Sequence, residues 1–209
     1  MRQETSKKIF SYWNNLRKGR PAPDRREIEP SDIRDLLGDT FILEVDPSFR
    51  TVSFRLAGTR LCSAYGRELK GVGFLGLWDE QDNMDIFNAV KQVHENLNAC
   101  TISFLAETEQ NKFAEFELIM LPLLNDSSKS VRILGCASPD ESPYWLGTES
   151  LVNNRVKHIR TIDQSQIETS VESLPELQNA PNLTPELHSE LPDAKRVGHL
   201  LVLDGGLQS

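Results

Sequence analysis

The side chains that could do chemistry are few and far apart. Cys62, Cys100 and Cys136 make no Cys-x-x-Cys pair and lie among apolar or small neighbours, as buried free thiols do. His158, His188 and His199 fall in or near the C-terminal segment, too scattered to gather round a metal by spacing. Glu115 and Glu117 are two apart, so a strand puts them on one face, the usual mark of a solvated sheet surface. The phosphate-cradling G-x-x-x-x-G-K-[ST], the H-E-x-x-H metal helix and the G-x-S-x-G nucleophile turn do not occur. The expectation is no catalytic residue, no metal site and no enzymatic activity. A haem iron would need an axial ligand, and His94 stands alone for that role beside Val90 and Leu97. Cys62, in Arg60-Leu-Cys-Ser-Ala-Tyr65, lacks the polar loop of a flavin-reactive cysteine. The sequence leaves the cofactor unknown.

Holding a small apolar molecule is a different task. It needs a sheet with one oily face and helices to cover it. Ile9, Tyr12, Trp13 and Leu16 recur at spacings of three and four, which predicts an amphipathic helix over residues 4–18, stopped by Gly19 and Pro21. A short helix is expected from Pro30, ended by Gly38. Phe41, Leu43 and Val45, then Val52, Phe54 and Leu56, alternate around the turn Asp46-Pro-Ser-Phe49, which predicts a hairpin. Gly58 is expected to let the second strand turn sharply into a crossover of short helical turns, with Gly66 ending one of them. Asp79 or Asp82 then caps a longer helix reaching about Asn98, with Ile86, Val90, Val93 and Leu97 on one face. Three further strands are predicted over 99–106, 113–123 and 131–137, with polar, turn-like connectors. Strands split two and three do not close their faces alone, but the helices between them cover one face of a single antiparallel sheet. The expected fold class is α+β, with a five-stranded antiparallel sheet and a helical crossover.

The run Phe54-Arg-Leu-Ala-Gly-Thr-Arg-Leu-Cys-Ser-Ala-Tyr-Gly-Arg-Glu-Leu-Lys-Gly71, followed by Phe74 and Leu77-Trp78, resembles the signature of a PAS domain family common in alphaproteobacteria. Upstream, Tyr12-Trp13, Gly19-Arg20, Pro23 and Arg25 belong to the same resemblance, which spans residues 10–147. It implies a PAS fold. Relatives of this kind are mostly uncharacterised single-PAS proteins, some of them regulators of motility or the cell cycle. Function has to be argued from the site, because fold does not fix it.

The site implied by that layout lies between the sheet and the crossover. Its expected walls are Phe54, Leu56, Leu61 and Tyr65, then Phe74, Trp78, Phe87 and Val90, then Phe104, Phe116, Leu118 and Met120. Interiors of native density predict instead that the same residues form a filled core. The N-terminal helix offers Ile9, Tyr12, Trp13 and Leu16 as a surface for partner proteins or a second copy, or packs them on its own sheet. The reading is a sensory or regulatory module acting through protein–protein contact and gated by a small ligand; the alternative is a sensor or carrier whose cavity ligand is its main business.

Three segments follow: helix and linker over 1–24, the PAS domain over 25–150, and an acidic tail over 151–209. Residues 161–194 hold seven acidic residues, four prolines and no Lys or Arg, a composition that leaves too little apolar surface for a core. The segment 197–207 is β-prone and either docks as an extra strand or serves as a binding peptide. A net charge of −8, with basic residues concentrated in the first thirty, argues against direct nucleic-acid binding. No stretch is long and apolar enough to span a bilayer, the N-terminus has no signal-peptide pattern, and a cytoplasmic location is expected.

Overall fold

The alternating run Thr40–Val45 (β1) turns back on Val52–Ala57 (β2), with Phe41, Leu43, Val45, Val52 and Phe54 all buried on one side. The computed structural model describes residues 1–46, 48–125, 130–162, 194–197 and 200–203. Two compact units divide the chain, Met1–Glu172 and Ser173–Ser209. In the first, β1 also pairs with β5 (Ser130–Pro139), β5 with β4 (Phe113–Asn125) and β4 with β3 (Ala99–Thr108). Every pairing is antiparallel. The order is β2-β1-β5-β4-β3-β6, so the hairpin and the meander meet through β1 and β5.

The sixth strand is a correction to the expected domain limits. Leu151–Ile162 (β6) pairs along the whole of β3 and belongs to the sheet rather than to a tail beginning at 151. Its period of two is broken by a register shift between Ser103 and Phe104, where Lys157 is left without a partner in β3. That irregularity hides the inward set Asn154, Val156 and Ile159 from a simple alternation count. The acidic segment 163–193 lies outside the described residues. In the second unit, Ala194–Val197 (β7) and Leu200–Leu203 (β8) pair as an antiparallel hairpin; residues 198–199 and 204–209 lie outside the described residues.

Helices pack on both faces of the six-stranded sheet; beyond α1 the outer face carries the exposed ion pair Lys157–Glu115. The inner face carries the crossover: Thr59–Ala64 (α2), short 3-10 turns at Leu75–Leu77 and Glu80–Asp82, and Asn83–Glu95 (α3), which buries Ile86, Ala89, Val90 and Val93. The outer face carries Glu4–Arg17 (α1), whose Ile9 and Trp13 are fully buried against Ile119, Leu121, Leu123 and Leu134. Full burial of side chains this large stabilises by roughly 1.5–3 kcal/mol each. The Trp13 indole donates to Pro122 O at 2.8 Å, which satisfies its polar edge. Tyr12 is partly buried, and its hydroxyl accepts from Glu29 N at 2.8 Å; Leu16 is partly buried too. Ile9 and Trp13 are thus not a free partner surface.

The linker after α1 is a strap rather than a spacer. Ala22 is fully buried in the outer core and Leu124 N donates to Pro23 O at 2.9 Å, so the segment runs alongside β4. Glu117, expected in solvent, is 3 % exposed. Its carboxylate accepts from the backbone amides of Arg2 at 2.7 Å and Gln3 at 3.0 Å, at the start of α1. Burial pushes its pKa up, but the amides and the nearby N-terminal charge outweigh burial and hold it below the ordinary carboxylate value.

Candidate functional site

Six aromatic rings run in contact across the inner face: Phe41, Phe54, Phe74, Trp78, Phe104 and Phe116, with successive centroids between 5.0 and 5.8 Å. Most of these contacts are edge-to-face, as ring quadrupoles favour. A cavity of about 20 Å³ lies among them, closed by Leu61, Tyr65, Leu69, Leu77, Leu118, Ala137 and Asn154. That volume is about what one water molecule needs.

The lining is apolar except at one corner. Asn154 is 1 % exposed and its Nδ2 donates to the Tyr65 hydroxyl at 2.8 Å. Asn154 Oδ1 and Trp78 Nε1 are both buried and have no partner. Leaving such a group unpaired costs about 1–3 kcal/mol each, so a bridging water or a ligand atom is the arrangement that corner favours. Tyr65 keeps some exposure, yet burial around its hydroxyl pushes the phenol up to about 12, so it stays protonated. The corner therefore offers an indole N–H donor, an amide oxygen acceptor and a phenol that can serve as either.

Three hydrogen bonds fix that corner. Asp79 N donates to Asn154 O at 2.8 Å, Asn153 Nδ2 donates to Asp79 Oδ2 at 3.3 Å, and Val156 N donates to Asp82 Oδ2 at 2.7 Å. Asp79 and Asp82, expected as helix caps, thus moor the crossover to β6; Asp79 also accepts from Gln81 N at the turn before α3. At the other end the tip of the Phe41 ring packs on Gly135, where an added Cβ would come within 2.0 Å of it. Gly58 has a φ of −71°, open to any residue; it is needed because a Cβ there would meet Leu37 O at 2.1 Å. Gly66 does adopt the left-handed φ of 62° expected of it.

Of the expected walls, Phe54, Leu61, Tyr65, Phe74, Trp78, Phe104, Phe116 and Leu118 meet around the cavity. Leu56 does not. A bulge between Ile42 and Leu43 sets Arg55 against no partner, and beyond it Leu56 faces solvent at 51 % exposure. Phe87 packs edge-on against Phe49 outside the cavity, while Val90 and Met120 are fully buried elsewhere in the same core. Phe41, Leu69, Leu77, Ala137 and Asn154 complete the walls and were not expected there. Phe41 is legible from its alternation with Leu43. Asn154 is not, because the uneven run 151–162 shows no strand period.

The remaining candidates have structural roles. His94 packs edge-on against Phe49 at 4.9 Å, and burial holds its pKa below the ordinary 6.5. Cys100 and Cys136 are buried, which pushes both thiols up to about 12; Cys62 is partly exposed. Among the described residues no group of three or more His, Cys, Asp or Glu is arranged to hold a metal ion.

A family model described as a PAS domain matches residues 1–138. No curated protein matches the chain. Among solved structures, one reported as "Flavin Analogue Sheds Light on Light-Oxygen-Voltage Domain Mechanism" is similar at 15 % identity and a TM-score of 0.42, over 55 % of this chain and 85 % of its own.

Proposed function

Since the chain belongs to the PAS domain family, we propose that it is a sensory and regulatory module that holds a small molecule in the aromatic cavity and reports its state to other proteins by direct contact, without catalysing a reaction. The observation that carries this reading is the polar corner: two buried hydrogen-bonding atoms, Trp78 Nε1 and Asn154 Oδ1, without partners beside a cavity otherwise walled by apolar side chains. At rest the cavity has room for about one water, so a larger guest must part the rings; the corner then selects a flat, largely apolar molecule with one donor and one acceptor at its edge. Its lining has no nucleophile placed beside a base, the pairing that covalent catalysis needs.

The partner half of the reading rests on exposed aromatics. Tyr144 is 90 % exposed and Phe113 47 % exposed, whereas Ile9 and Trp13 are spent on the chain's own sheet. Aromatic anchors of that kind concentrate at interfaces, including those between two copies. The cytoplasmic location belongs to the same proposal; no helix among the described residues is long and apolar enough to cross a membrane.

Native mass spectrometry and thermal-shift titration of the full chain with indole, phenol and benzamide test the ligand half. The wild type retains a small molecule or is stabilised by one of the probes, and Ala137→Leu, which fills the cavity, abolishes the effect. A wild type that stays bare and unmoved by all three probes would refute the cavity reading.

A further inference from the structure

A second and larger opening lies between α2, the end of β5 and the first turn of α1. It encloses about 380 Å³, within the usual range of small-molecule sites. Its rim is hydroxyl-rich, with Thr5 from the first turn of α1, Ser63 from α2, Ser138 from the end of β5 and Ser142 from the loop that follows. Leu61, Pro143 and Leu146 supply apolar wall.

One cation stands in this groove, held in a fixed position. Arg60 donates from Nε to Asp39 Oδ1 at 2.7 Å, and from Nη2 to Asp39 Oδ2 at 2.6 Å and to Asp35 O at 3.0 Å. The guanidinium lies on Gly38, where an added Cβ would come within 2.7 Å of Cζ. Nη1 makes no hydrogen bond among the described residues. The Arg60 side chain is 59 % exposed and that of Asp39 only 14 %, so a solute meets the guanidinium before the carboxylate. Ser138 is 6 % exposed and its buried Oγ has no partner. A preorganised guanidinium, an unsatisfied hydroxyl and an apolar wall lining one groove are the chemistry that takes a carboxylate on an apolar body.

We propose that this groove is a binding site for a small organic carboxylate, its head on Arg60 Nη1 and the Ser138 hydroxyl and its body against Leu61, Pro143 and Leu146. The groove shares Leu61, Phe116 and Ala137 with the wall of the aromatic cavity, but its polar anchors, Arg60 and Ser138, are not among the residues that line that cavity.

The test is an amide-resolved NMR titration of the full chain with sodium benzoate, with benzyl alcohol as the uncharged control. Benzoate is expected to give saturable shifts at Ser63, Ser138 and Gly147, with benzyl alcohol about tenfold weaker or worse. Arg60→Gln weakens benzoate about tenfold; if loss of the Asp39 pair unfolds that variant, Ser63→Asp at an exposed rim position does the same by repulsion. Equal affinity for the two probes, unchanged binding by Ser63→Asp, or no saturable shift would overturn the proposal. Shifts confined to the Trp78 indole and the Asn154 side-chain amide would overturn it too, while leaving the cavity reading intact.

Discussion

Gly135 and Phe41 face one another across β5 and β1, and the ring occupies the space that any side chain at 135 would need. Gly135→Ala must push the ring toward the cavity. The expected loss is about 1–3 kcal/mol, the usual penalty of overpacking, read as a lower urea midpoint with unchanged slope. Glu117 presents the opposite situation, a buried carboxylate well satisfied by two amides. Because its folded pKa is depressed, its contribution is fully present above the unfolded value and is lost as pH falls through the folded value. Glu117→Gln is therefore expected to lower stability by roughly 2 kcal/mol at neutral pH, the scale of a hydrogen bond to a charged group. The gap to wild type should close below the ordinary carboxylate range. A gap that persists there, in urea melts across pH, would mean that packing and not charge sets the effect.

At the scale of elements, α1 is an integral second layer. Trp13→Ala should cost about 3–5 kcal/mol, as for other fully buried aromatics, visible as a large drop in the calorimetric midpoint. The spacing of Ile9, Trp13 and Leu16 announced an oily face on this helix, but a period does not say what covers it; β4 and β5 do, through Ile119, Leu121 and Leu134. The first hairpin strand, the long helix α3 and the three-stranded meander were legible because each repeats its apolar residues with a clean period. Two strands carry an irregularity, and it is there that the reading from sequence went astray. The bulge at Arg55 turned Leu56 outward, and the slip at Lys157 concealed β6, which carries Asn154. Half of the polar corner was thus invisible, since a lone asparagine in a basic, uneven segment gives no apolar signal to follow. Glu117 was misplaced for a related reason: its strand has its outer face roofed by α1, so alternation no longer means exposure.

For the first unit as a whole, the inner face of the sheet is roofed by the crossover, and change inside the cavity has few ways out. The crossover is tied to β6 at Asp79 and Asp82, and the amide of Val156 depends on Asp82 for a partner. Asp82→Ala is expected to speed hydrogen exchange at Val156 by at least tenfold while leaving the β4–β5 amides as they were; uniform acceleration over the sheet would indicate global weakening instead. That seam is the hem that joins the crossover to β6, an edge strand of the sheet. A guest that swells the aromatic pocket by even a methyl group is expected to loosen β6 first, because that strand is laced on one side only while β4 and β5 are laced on both.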